Sequence, residues 1–84
     1  MQKSLRSPRQ QRLQSVLSAA RKDRNLTQAE LAERLNKPQS FVAKYENGER
    51  RIDVIEFLDI TGALDIRPVE ILDQLSVVLD KQKR

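Results

Sequence analysis

An all-α fold, a five-helix bundle built around a tight bihelical corner, is what this 84-residue chain predicts, and three observations predict it. Every apolar periodicity has helical spacing, and no stretch of alternating β-branched residues is present. Capping patterns recur where those periodic segments begin: Ser7-Pro8, Thr27 with Glu30, Asp53 with Glu56, and Arg67-Pro68. Residues 27–48, TQAELAERLNKPQSFVAKYENG, hold two short amphipathic segments joined by a turn with room only for a helix-turn-helix corner.

The first helix is expected from the Ser7-Pro8 cap to about Arg24, with Leu13, Val16, Leu17 and Ala20 facing inward. Asn25 ends it and Leu26 packs under the corner. The second opens at Thr27, whose hydroxyl accepts from the Glu30 amide while the Glu30 carboxylate reaches back. Leu31 and Leu35 lie one turn apart on its apolar face, and the small Ala32 lets another helix cross closely. Asn36 occupies the turn, because asparagine enters the left-handed region at low cost. Pro38 presets φ for the first turn of the third helix. There Val42 and Tyr45 form the inward stripe, Gln39, Ser40, Phe41, Ala43 and Lys44 face out, and Asn47-Gly48 closes the helix. After a loop from Glu49 to Ile52, Asp53 opens a fourth helix that offers Phe57, Leu58 and Leu64 to the core and is weakened by Gly62. The fifth runs from Pro68 toward Leu79, ahead of a polar tail from Asp80 to Arg84.

Eighty-four residues make one small domain with a single helical core. The chain has no cysteine and no histidine, which removes disulfides, thiol nucleophiles, the usual zinc ligand sets and the commonest general base. It also lacks a glycine-rich phosphate loop. An enzyme is therefore poorly supported, and no cofactor or metal is expected. No apolar run approaches the length of a bilayer span, and the polar N-terminus with Lys3, Arg6, Arg9 and Arg12 lacks a signal-peptide core, so a cytoplasmic location without membrane contact is expected. The formal charge of +4 is uneven. Residues 1–12 carry four basic and no acidic residues, residues 13–71 nine basic and ten acidic, and residues 72–84 three basic and two acidic. The body must bind an anionic partner through a local patch, for which Lys37, Lys44, Arg50 and Arg51 are candidates, if they are not simply a solvated face.

Thr27-Gln28, Leu31-Ala32, Gln39-Ser40-Phe41-Val42, Tyr45-Glu46, Gly48 and the stretch Val54 to Leu64 together resemble the XRE family, the Cro and phage-repressor class of DNA-binding domains. The resemblance runs from about Leu13 to Leu72. It divides the chain into a basic arm and helix start at 1–12, a helix-turn-helix domain at 13–72, and a helix end with a basic tail at 73–84. Asn25 and Asn36 stand where the family often has glycine, and Pro38 where a Ser or Thr cap is common. The resemblance implies that Gln28 anchors the phosphate backbone at a helix N-terminus. It also implies a structural pair between Arg21 and Glu46, joined by a charge-assisted bond. Gln39 is the candidate base reader, since its amide matches adenine N6 and N7 in the major groove. Ser40, Lys44, Lys37, Asn47, Arg50 and Arg51 complete the expected DNA-contacting set. Phe41 belongs to it if its ring meets thymine methyl groups, and to the core otherwise.

The expected function is a sequence-specific transcriptional regulator, a repressor acting as a homodimer on a palindromic operator in double-stranded DNA. The alternative is an antitoxin or coactivator-like adaptor that uses the same fold to hold a protein partner such as a toxin. In the fifth helix Leu72, Leu75 and Leu79 form one seam for docking, and Val69, Ile71, Val77 and Val78 are left over. These four are the expected homodimer interface, unless the helix wraps to bury both stripes within one chain.

Overall fold

A computed structural model describes residues 7–78, and five helices account for most of them: α1 (Pro8–Asp23), α2 (Gln28–Leu35), α3 (Gln39–Glu46), α4 (Val54–Leu64) and α5 (Pro68–Ser76). The helix starts follow the capping chemistry. Ser7 Oγ accepts from the Gln10 amide ahead of Pro8. Reciprocal capping boxes join Thr27 to Glu30 (3.0 and 2.8 Å) and Asp53 to Glu56 (2.7 and 2.9 Å). Pro38 takes the position where a Ser or Thr cap is common. It is the cap residue of α3, extended at φ −71° and ψ 155°, and supplies no side-chain bond.

Four helices end in the same way. The amides of Leu26, Lys37, Glu49 and Ile66 donate back to the carbonyls of Arg21, Ala32, Lys44 and Thr61 at 2.8–3.3 Å, each across a residue in the left-handed region. Only one of those residues is glycine: Gly48 (φ 80°) closes α3, whereas Asn25, Asn36 and Asp65 hold φ near 58–59°. Arginines satisfy further terminal carbonyls. Arg24 donates to Leu64 and Asp65, Arg34 to Ala63 (3.1 Å), and Arg9 to Leu75 and Val78 (3.3 and 2.9 Å). Three arginines are thereby committed to holding helix ends.

The core is formed by Leu17 and Ala20 of α1, Leu31 and Ala32 of α2, Val42 and Tyr45 of α3, Phe57, Ile60 and Leu64 of α4, and Ile71 of α5. α2 packs on both α3 and α4, and α1 on both α3 and α5, so the corner is braced from two sides. Two expectations are corrected here. In α4 the inward stripe is Phe57, Ile60, Thr61 and Leu64, and Leu58 points out. In α5 the docking residue is Ile71, only 2% exposed, while Leu72 is half exposed, so Ile71 is unavailable to a partner and the expected seam and surplus were partly exchanged. Packing against α1 and α4 sets the rotation of α5 and brings Ile71 rather than Leu72 over them. The helix also stops at Ser76, which leaves Val77 and Val78 after its last turn. Leu79 lies outside the described residues.

Candidate nucleic-acid interface

The corner is locked by a polar network at its base. Arg21 grips Glu46 with two bonds, Nε to Oε2 at 2.8 Å and Nη2 to Oε1 at 3.0 Å, and its Nη1 donates to the Leu26 carbonyl at 2.7 Å. The two side chains are 9% and 5% exposed. Gln28 Nε2 adds a third bond to Glu46 Oε1 at 3.0 Å. One carboxylate at the end of α3 thus gathers α1, the turn after it, and the first residue of α2. The hydrogen bond that Arg21 donates to Glu46 raises the Arg21 pKa further, so its guanidinium stays charged at any ordinary pH. Gln28 is the unforeseen member: one of its two amide hydrogens is committed to Glu46.

The inward stripe of Val42 and Tyr45 turns the opposite side of α3 to solvent, where Gln39, Ser40 and Lys44 are exposed. Ser40 and Lys44 lie one turn apart on that side, next to Gln39 at the helix start. Pro38 leaves the first-turn amides of α3 without a side-chain cap. Lys37 is exposed immediately before the helix, and Asn47 and Arg51 are exposed after it. At Gly48 a Cβ would fall 2.9 Å from Gln14 Nε2, so α1 covers the turn that closes the helix.

Phe41 belongs to neither extreme. Its ring is half-buried against the core and meets Tyr45 edge-on, with centroids 5.5 Å apart. Two cations approach it, Lys37 Nζ at 5.2 Å and Arg50 Cζ at 4.9 Å from the centroid. Arg50 is further held by Glu56 through two bonds of 3.1 Å, in a partly exposed pair. Arg50 and Glu56 are six residues apart across an irregular loop, so no periodicity in the sequence signalled their pairing.

A helix-turn-helix family model matches residues 17–71. In solved structures, an XRE-family like protein from Pseudomonas syringae pv. tomato superposes with a TM-score of 0.77 at 48% identity, over 81% of this chain and 83% of its own. The chain belongs to the XRE family of helix-turn-helix proteins. This XRE-family chain is also similar to the restriction-modification controller protein C.AhdI from Aeromonas hydrophila (TM-score 0.70, 29% identity, 74% of this chain and 94% of that one). Its fold is shared with the clp gene regulator ClgR from Corynebacterium glutamicum (TM-score 0.76, 21% identity, 84% of this chain and 92% of that one). No curated protein matches it in sequence. The XRE-family chain is thus a DNA-binding transcriptional regulator and not an enzyme. None of its described helices is long and apolar enough to cross a membrane.

Proposed function

We propose that this XRE-family regulator is a repressor that binds a palindromic operator as a homodimer, with α3 of each protomer in a major groove. The observation that carries the proposal is the conjunction of two surfaces on one small body. One is the outward row of Gln39, Ser40 and Lys44, flanked by Lys37, Asn47 and Arg51 and anchored at Gln28. Gln39 reads adenine through its amide, Ser40 and Lys44 contact bases or phosphate beside it, and Gln28 sets register on the backbone.

The other surface is apolar. Val54, Ile55 and Leu58 on α4 are 71%, 65% and 45% exposed, and all lie on one stripe. A shallow groove of about 180 Å³ between Val54 and Leu72 links that stripe to α5, where Val69 stands one turn before Leu72. Val77 is exposed beyond the helix end and Val78 is half-buried. Monomers seldom expose a continuous apolar area of this kind. A second copy covers it by a two-fold contact in which the same residues serve both sides. The interface therefore keeps Val69 and Val77 from the sequence reading, loses Ile71, and gains the α4 stripe.

Selection of bound fragments from random duplex DNA tests the reading. The expected result is an inverted repeat whose half-sites lie about one helical turn apart, near 34 Å, bound with two protomers per site. Enriched fragments lacking two-fold symmetry, or bound one protomer at a time, would refute it. Recovery of no DNA at all would favour the adaptor role.

A further inference from the structure

The first turn of α4 places a carboxylate among the cations beside α3. Glu56 accepts from the Asp53 amide at 2.9 Å and from both terminal nitrogens of Arg50 at 3.1 Å. It is fixed by the capping box of α4 at the same time as it fixes the guanidinium. Arg50 in turn lies against the Phe41 ring, beside the first turn of α3, and Lys37 stands against the same ring. Asp53 and Glu56 fill the N-terminus of α4, where an uncapped helix would favour a phosphate.

We propose that Glu56 sets this regulator's affinity for DNA by withholding Arg50 from the phosphate backbone and holding it on Phe41. Arg50 is then a positioning residue for the loop and for the start of the reading helix, although its place after α3 suggests a backbone contact. Each protomer meets DNA with one cation fewer than its sequence displays. Sequence-independent binding depends on the number of phosphates neutralised, so an internal anion of this kind lowers affinity for random DNA and leaves the readers on α3 untouched. Arg50 holds the Glu56 carboxyl below the usual carboxylate range, with help from the Asp53 amide and Lys37, so the restraint does not relax near neutral pH. The inference rests on DNA binding through the α3 side.

The test is a double-mutant cycle of Glu56→Gln and Arg50→Ala, with binding to random-sequence duplex measured across a salt series. Glutamine is an accepted residue at this capping position and keeps an oxygen for the Asp53 amide. It removes the charge that holds Arg50, and matching circular dichroism melts check that the fold survives. Glu56→Gln is expected to tighten binding roughly two- to fivefold, the equilibrium effect of releasing one exposed ion pair. It should also steepen the log–log salt slope by about 0.9 per protomer, one additional neutralised phosphate. Arg50→Ala alone should leave the slope unchanged, and adding it to Glu56→Gln should abolish the gain. An Arg50→Ala variant with a shallower slope, together with an unaltered Glu56→Gln variant, would show that Arg50 already contacts phosphate and would overturn the proposal. An unmodified protein without DNA affinity would overturn the DNA-binding role of the α3 side, and this proposal with it.

Discussion

The polar side chains of α3 divide between those exposed to solvent, Gln39, Ser40 and Lys44, and one that holds the corner. Glu46 holds, because its three bonds from Arg21 and Gln28 leave it nothing to offer a base. Removing Arg21 strands a carboxylate that is nearly inaccessible, so Arg21→Ala should cost about 3–5 kcal/mol. Urea unfolding measures that loss, and a loss under about 1 kcal/mol would mean the pair is effectively solvated. Tyr45 presents the opposite problem. Its hydroxyl is buried without a hydrogen-bond partner among the described residues, and burial, followed by the charge of Glu46, pushes its pKa upward. A group whose folded pKa lies above its unfolded value of about 10 stabilises the fold fully below that pH, and the contribution drains away as pH rises past it. Tyr45→Phe should therefore be neutral or stabilising by up to about 1 kcal/mol at pH 7, and should flatten the loss of stability above about pH 10. Thermal melts at pH 7 and pH 10.5 check both parts.

At the level of the helix, the ends matter more than the middles. Asp65 closes α4 in the left-handed region and carries a negative charge at a helix C-terminus, two unfavourable features that Arg24 only partly offsets through neighbouring carbonyls. Asp65→Gly should stabilise the fold by roughly 0.5–1 kcal/mol. Gly62 presents the converse case: it lies inside α4 in ordinary helical conformation, and an added Cβ would meet nothing within 4 Å. Gly62→Ala should add about 1 kcal/mol, and the two gains should be close to additive only if the turn itself does not shift. Differential scanning calorimetry on both single variants and the pair decides the matter. A destabilised Gly62→Ala would imply that α4 needs local freedom. The capping boxes at Thr27 and Asp53 were legible in sequence because each depends on residues only three apart. The face that α5 buries was not, because its apolar residues crowd every side and only its rotation against α1 and α4 selects Ile71.

For the whole molecule the question is how two copies would share one operator. The apolar surface formed by Val54, Ile55 and Leu58 with Leu72 and Val69 is stabilised by burial at about 25 cal/mol per Å², provided a two-fold mate covers it. Replacing Ile55 and Leu58 together by Glu should give a folded monomer with unchanged helical content and a collapsed operator affinity. Sedimentation equilibrium and operator titration read the two effects. A unmodified chain that stays monomeric at high micromolar concentration, on and off DNA, would leave this surface to another partner. Within the proposed dimer, Gln39→Ala should cost roughly 1–3 kcal/mol on the preferred operator and relax one base position, whereas Gln28→Ala should weaken all sequences alike. Equal losses on operator and random DNA for both variants would show that Gln39 does not read a base.

Sequence by itself determined the helical class, the five elements in order, the corner at 27–48, and, of the five α3 residues read as outward, Gln39, Ser40 and Lys44, whereas Phe41 and Ala43 are half-buried. Each follows from short-range physics: periodicity over a turn or two, caps spanning three residues, and an asparagine or glycine at a chain reversal. Tertiary structure alone decided which arginines are available. Arg9, Arg24 and Arg34 close the ends of distant helices, and Arg50 is clasped by Glu56 and Phe41. It likewise decided that Leu58 and Leu72 face out while Ile60 and Ile71 face in. The physical reason is the same for both. A long charged side chain finds its partner, and a helix with several apolar faces its orientation, through contacts between elements far apart in the chain, and no local pattern encodes those contacts.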